Sequence, residues 1–282
     1  MKARWELILL PPLLLSLLLL LAPQLVFLKG SLQRDLGMGL SAPGLTLENF
    51  CEVLTDSYFL SSLWLSTYVS TVAMLITMLL AFPAAYAIAR MEGRLSILLI
   101  AAVVVSSFLT IVVKVIGLLL IFSSSGPLNR ALTWLGAITE PITIVGTIPG
   151  VILGLIYYTL GFAVLLFYSL VVTVPRSLEE AAEIHGASRL GVFGQVVLPI
   201  CLPGIAAGAL MIFNVNMGGF SSTALIGAGK VLTLPIVIQR TVILETNYGL
   251  GAALAALLLV VTLALNAFAV LLLVRARRGM IV

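Results

Sequence analysis

The chain has 282 residues, 61% of them hydrophobic and 9% charged, with a mean hydropathy of +1.23. A soluble domain is about a quarter charged, so this composition excludes an ordinary water-soluble protein and predicts an all-α polytopic membrane protein. The net charge of +4 and the pI near 9.3 are accounted for by basic residues in the loops and give no support for nucleic-acid binding.

A spanning helix needs about 20 apolar residues, and a charge at mid-bilayer costs at least ~2.5 kcal/mol. Uncharged intervals run over residues 7–28, 57–89, 95–113, 141–175, 190–229 and 246–274. They predict six spans in a single transmembrane domain over residues 1–282: roughly 7–28, 59–89, 95–121, 142–173, 201–221 and 249–274. The third is carried past Lys114 and the fifth ends near Phe220. The first resembles a secretory signal, with Lys2 and Arg4 ahead of it. Its 22 uncharged residues exceed a signal core of about 7–15 and no A-x-A site follows, so it reads as an uncleaved helix.

Orientation follows from Lys and Arg in the loops. One side holds nine of them (Lys2, Arg4, Arg90, Arg94, Arg176, Arg189, Arg275, Arg277, Arg278) and the other five (Lys29, Arg34, Arg130, Lys230, Arg240). The richer side is the cytoplasm, which places both termini inside a cell (inner) membrane. Cys51 and Cys201 then lie about 30 Å apart, at opposite ends of spans, and cannot pair. His185 is the lone histidine and excludes a multi-histidine metal site.

Energy-coupling chemistry is missing from the chain. Gly227-Ala228-Gly229-Lys230 is the nearest approach to a phosphate-binding loop, but Ala224 and Val231 stand where Walker A requires Gly and Ser or Thr. All eleven carboxylates fall in loops or at ends, so no acidic relay crosses the bilayer. The driving force is expected from another chain.

Between the fourth and fifth spans lies a polar island, Ser177 to Ile205. Ser177 and Glu180 have the spacing of a capping box, with Ser at N-cap and Glu at N3, and Gly186 suits the left-handed residue that ends a helix. Glu179, Glu180 and Glu183 put negative charge near the positive end of that helix. Leu190, Phe193, Val196 and Val197 form an apolar stripe after it, and Pro199 and Pro203 mark the start of the fifth span. Ala181 and Ala182 offer a small-residue surface that a partner can approach closely, while the carboxylates offer ion pairs.

Glu180-Ala181-Ala182, Gly186, Val196, Leu198 and Pro199 at these offsets resemble the EAA loop of the permease subunits of binding-protein-dependent ABC importers. The adjoining Ala187-Ser188, Phe193 and Pro203-Gly204-Ile205 extend the match. The resemblance covers nearly the whole chain. Thr46–Phe50, Leu54–Tyr58, Phe82–Tyr86 with Ala89-Arg90, and Leu232–Pro235 look like the spermidine/putrescine-type subfamily. So does Asn247-Tyr248 leading into Gly251–Ala255, although the subfamily commonly has Asn-Trp-Pro-Phe where this chain has Asn247-Tyr248-Gly249-Leu250.

The resemblance implies a type I importer permease fold in which the loop over residues 176–200 is a cytoplasmic coupling helix. It would dock on an ATPase through Glu179, Glu180, Ala181, Ala182, Glu183 and Gly186. It further implies a second permease chain, two ATPase subunits that hold ATP and Mg, an extracytoplasmic solute-binding protein, and no cofactor or catalytic residue in this chain. The solute would be a polyamine or a related amine or amino-acid-like compound.

For the translocation route the candidates are polar groups inside the bilayer: Lys114, Asn214 and Asn216, with Glu245 as an acidic gate partner for Lys114. Lys114 reads either as a vestibule group or as a snorkelling or structurally paired lysine. The two asparagines read either as lining or as packing between helices. Ser62, Ser66 and Ser70 share one helical face and read as packing, as do Gly204 and Gly208. Two rival classes are an ion-gradient secondary transporter, which should show inverted repeats that are not found here, and a non-transporting membrane scaffold.

Overall fold

The computed structural model describes residues 5–36, 40 and 42–279, so Lys2 and Arg4 lie outside the described residues. Helix α1 (Trp5–Ser31) is apolar all round and contains Pro11, Pro12 and Pro23. A short α2 (Glu48–Thr55) leads into α3 (Ser57–Arg90), which has 34 residues. Next come α4 (Arg94–Phe108), α5 (Ile111–Ile121) and the short α6 (Pro127–Trp134). Helix α7 (Ile148–Val172) is followed by α8 (Arg176–Ile184) and α9 (Arg189–Val192). A π turn over Phe193–Val197 passes without a break into α10 (Leu198–Met217). The chain ends with α11 (Phe220–Gly227), α12 (Leu234–Gln239), a second π turn over Arg240–Leu244, and α13 (Tyr248–Gly279).

Among the described residues five helices are long and apolar enough to cross a membrane: Leu9–Ser31, Ser57–Arg90, Ile148–Val172, Arg189–Met217 and Tyr248–Arg275. The expected third span, 95–121, is a broken pair: α4 and α5 meet at 103°. Thr110 explains the break, because its extended backbone and its side chain, which accepts the Val113 N–H, start a new helix. The fourth span begins at Ile148 instead of residue 142, since Gly146 (φ +71) makes a turn and the Thr147 hydroxyl caps α7 by accepting the Gly150 N–H at 3.1 Å. The fifth is longer than 201–221 on its N-terminal side. It then breaks at Gly218-Gly219, and α11 and α12 occupy sequence that the span count leaves as a loop. These helices have 8 and 6 residues, too few to register as spans.

The chain forms two compact units. One comprises the residues up to Leu63 together with Leu234–Val261. Here Asn49 holds α2 on the end of α1 by donating to the Ser31 and Gln33 carbonyls, both at 2.9 Å. Gly249 allows that approach, since a Cβ on it would lie 2.8 Å from the Gln33 oxygen and 3.0 Å from Asn49 Nδ2. Asn247 caps α13 by accepting the Leu250 N–H at 2.9 Å.

The other unit runs from Trp64 to Thr233 and from Thr262 onward. Helix α7 is its centre, with α4, α5, α10 and α11 packed on it. Gly204 and Gly208 do form the close face expected of them. A Cβ on Gly204 would sit 2.7 Å from Leu170, and one on Gly208 2.8 Å from Phe167 and 2.9 Å from Leu166. Further along the same seam Gly219 meets Leu155. Each step along α10 is thus matched by an equal step back along α7, an antiparallel pair without a shift in register. Phe82 meets Phe167 edge-on at 5.9 Å, and Ala81, Ala85, Val164, Val171 and Ile205 close the core around them. Ser66 and Ser70 are buried here, and Ser62 is buried in the first unit, as packing requires.

Candidate functional site: the helix that follows α7

Helix α7 ends at Val172, and three residues later Pro175 stands as the N-cap of α8, with no side-chain capping bond. The capping box expected at Ser177 is therefore absent. The helix starts earlier than Ser177, and Arg176 already occupies the first helical position. At the other end the expectation about Gly186 holds in detail. It adopts φ +87, its N–H donates to Glu183 O at 2.9 Å, and the Ala187 N–H donates to Ala182 O at 3.0 Å. This is a Schellman closure, available here because glycine pays nothing for the left-handed region. His185 sits beside it with Nδ1 2.8 Å from Ala181 O.

The two faces of α8 differ. Glu179 turns inward and is 9% exposed. It forms an ion pair with Arg90, the last residue of α3, and accepts a hydrogen bond from the Tyr86 hydroxyl at 2.9 Å. Arg90 also donates to the carbonyls of Val171 (3.2 Å) and Val174 (3.0 Å), so it supplies partners for the end of α7 and for the connector before α8. Removing one partner of such a mostly buried pair typically costs ~3–5 kcal/mol, because the other charge is left uncompensated. Arg176 and Glu92, by contrast, meet at 2.7 Å in the open, with side chains 49% and 81% exposed, and that pair contributes little. On the outward face Glu180, Ala181 and Glu183 are exposed and Ala182 is half-buried. Ile184 is 84% exposed, as is Leu190 beyond the turn.

Leu190 therefore lies outside the expected stripe, while Val197 is buried as expected and Val192 is buried beside it. The π turn is the reason. Leu198 N–H reaches back to Phe193 O, and Pro199, which has no N–H and needs room near the carbonyl four residues earlier, follows directly. Phe193 packs on Phe82 and Tyr86, with ring centroids 5.4 and 5.0 Å away. The helix thus runs through both prolines, and the fifth span is continuous from Arg189 to Met217.

The polar groups proposed for the route separate. Asn214 and Asn216 are two residues apart on α10, hence about 200° apart around it. Asn214 is exposed, whereas Asn216 is 3% exposed and its amide N and O have no hydrogen-bond partner among the described residues. The α7–α10 register places Asn216 level with Tyr158 and Thr159, the latter sharing a hydroxyl contact with Thr77 at 3.3 Å. Lys114 on α5 is also buried, with its ammonium 5.8 Å from the ring centroid of Tyr157 and 6.0 Å from that of Tyr158. Glu245, exposed, ends the second π turn with its N–H on Arg240 O at 3.1 Å.

One residue of this set escapes a reading based on charge. Asn266 on α13 donates to Asn214 Oδ1 at 2.7 Å and to Thr262 O at 2.8 Å, and its own Oδ1 is buried without a partner. It stands nine residues before Arg275, about 14 Å along the helix, which is deep in an apolar segment. Its sequence signal is the same as that of Asn214, an amide within an apolar run. Among the described residues no cluster of three or more His, Cys, Asp or Glu could hold a metal, and both cysteines are free thiols.

Comparison with known proteins accords with this arrangement. Residues 132–278 match the family described as binding-protein-dependent transport system inner membrane component. The spermidine/putrescine transport system permease protein PotB of Escherichia coli (strain K12) is 33% identical over 216 residues, covering 77% of this chain and 78% of PotB. PotB of Haemophilus influenzae is 32% identical over 236 residues, 83% of this chain and 82% of its own. A putative 2-aminoethylphosphonate transport system permease protein, PhnU of Salmonella paratyphi A, is 32% identical over 160 residues, 56% of this chain and 55% of PhnU. Among solved structures, a chain of a bacterial ABC transporter involved in the import of the acidic polysaccharide alginate superposes with a TM-score of 0.82 at 19% identity, covering 97% of this chain and 96% of that one. The fold is that of type I importer permeases. A multi-pass membrane protein with these relatives and this fold belongs to the binding-protein-dependent transport system inner membrane component family, as a permease subunit of an ABC importer.

Proposed function

We propose that this chain forms half of the pathway through which an ATP-driven importer moves a small amine-bearing solute, and that α8 is the coupling helix on which the ATPase acts. The observation that carries the reading is the outward face of α8. Glu180, Ala181, Glu183 and Ile184 are exposed on a helix that is fixed at its back by Glu179 and closed by Gly186. Small side chains let a cleft approach, carboxylates select basic groups in that cleft, and an exposed isoleucine supplies apolar area to bury. The basic residues at this end of the spans make it the cytoplasmic end, with both termini on that side. The assembly is this chain with a second permease chain, two ATPase subunits holding ATP and Mg, and an extracytoplasmic solute-binding protein.

The amine class of the solute rests on the relatives, which are named for spermidine/putrescine and for 2-aminoethylphosphonate. The test is reconstitution of the whole transporter in proteoliposomes with labelled spermidine, putrescine and 2-aminoethylphosphonate. ATP-dependent accumulation of one of them supports the class, and accumulation of none while an amine-free solute is moved sets it aside.

Within the pathway Asn214 and Asn266 are the polar groups that face the route. A surface amide pair deep in an apolar segment costs several kcal/mol per unsatisfied group against lipid, which favours a wet or protein-covered face there. Asn214→Leu is expected to lower uptake at least ~10-fold at unchanged assembly, as loss of a polar contact in a transport step would. Asn216→Leu, which replaces an unbonded buried amide by an apolar group of similar size, is expected to be near neutral. Uptake assays on both variants check the contrast.

Lys114 is held by its two tyrosines and lies off the route. Lys114→Met keeps the length of the side chain and its contacts with the rings, so the half-saturating solute concentration should change by less than about twofold. A large rise would return Lys114 to the pathway.

A further inference from the structure

Arg90, Tyr86 and Glu179 have no place in docking or in the route, yet their side chains tie α3, α7 and α8 together at this end of the chain. We propose that Arg90 is a positioning residue for energy coupling: it locks α8 to α3 and α7, so that displacement of α8 moves the spans instead of being absorbed by the connector. The proposal rests on the reading of α8 as the coupling helix.

The side-chain contacts that cross the joint point to that role. Between α7 and α8 lie only Thr173, Val174 and Pro175, and after α8 the chain turns at Gly186 before α9. Both junctions are non-helical. A push on the outward face of α8 would turn it about these two points unless something braced its inner face. Arg90 is that brace. One guanidinium holds the α8 carboxylate of Glu179, the Val174 carbonyl inside the connector and the Val171 carbonyl in the last turn of α7.

Arg90 is itself the last residue of α3, so three helices and the joint share one planar group. All three contacts are made by one terminal nitrogen, Nη2, so the brace depends on the reach and the charge of the arginine side chain. Tyr86, one turn earlier on α3, adds a second bond to the same carboxylate and packs on Phe193, which brings the start of α10 into the same block. Glu179 thus leaves the docking surface and belongs to the brace.

The experiment is reconstitution of the complete transporter with Arg90→Ala, Arg90→Lys and Glu179→Gln, reading solute uptake and ATP hydrolysis in the same vesicles. A loss of folded complex lowers both in proportion, so the ratio of uptake to ATP hydrolysed isolates coupling. With Arg90→Ala the ratio should fall at least ~10-fold while the ATPase still co-purifies, and Arg90→Lys, which keeps the charge on a shorter side chain, should fall between that and the unmodified protein. A ratio within about twofold of the unmodified protein for Arg90→Ala overturns the proposal. Should Arg90→Ala fail to assemble, Glu179→Gln decides by the same ratio, since it preserves volume and the bond to Tyr86. Failure of the underlying reading is separable: in that case Glu180→Lys leaves both ATPase association and uptake intact.

Discussion

Glu180→Lys is expected to abolish ATP-driven uptake while the chain still inserts and folds. Glu180 is exposed at the middle of α8, so reversing its charge leaves the fold alone. Against a basic cleft, however, the substitution exchanges attraction for repulsion, and a like-charge pair at a buried contact costs several kcal/mol, enough to weaken association at least ~30-fold. Co-purification of the ATPase with the variant, beside uptake in reconstituted vesicles, checks the result. Retention of both at unmodified levels would mean that α8 is not where the ATPase acts.

Gly150→Ala should lower the heat stability and the yield of the assembled protein more than any other single methyl added to the α7 packing. Gly150 lies in the first turn of α7, and a Cβ there would overlap the backbone oxygen of Ile144 and sit 2.9 Å from its carbon. A backbone carbonyl cannot swing aside as a leucine tip can. The loop that carries it is also anchored, since Gly146 N–H donates to Ile226 O at 2.7 Å and Asn129 holds Ile142 through both its N–H and its carbonyl, at 2.8 and 2.9 Å. Relief would require that whole loop to shift, at a cost of about 1–3 kcal/mol or more. Thermal unfolding of the purified variant followed by size-exclusion chromatography measures it. The same methyl at Gly204 meets only the ends of Leu170, so Gly204→Ala should be milder and serves as the internal control.

What the sequence made legible was governed by solvent. Lipid demands long uncharged runs and water demands charges, so the straight spans could be located from the spacing of Lys, Arg, Asp and Glu alone. Features set by hydrogen bonds between neutral groups were not legible. The break at Thr110 has no proline or glycine to announce it, and α11 and α12 are too short to stand out from an outer loop. Asn266 is as legible as Asn214, an amide in an apolar run, but its pairing with Asn214 across 52 positions has no local signal. At α8 the failure was of another kind. Ser177 and Glu180 satisfy the spacing of a capping box, but a proline two residues earlier set the start of the helix, because its φ is already fixed and its missing N–H costs nothing there. The inward turn of Glu179 had no local signal at all, since it depends on an arginine that is 89 positions earlier in the chain.

The π turn over Phe193–Val197 bears on how this region tolerates change in length. In an α-helix two residues five apart point about 140° away from each other; in a turn closed five residues back they return to nearly the same side. Val192 and Val197 are five apart and both buried, so the turn holds one residue more than an α-helical path would use. A chain shorter by that one residue would keep the helix and lose its orientation, swinging Arg189–Val192 by about 100° about the axis of α10. Related chains that differ by a single insertion or deletion here should therefore present their α8 to a partner from a different side.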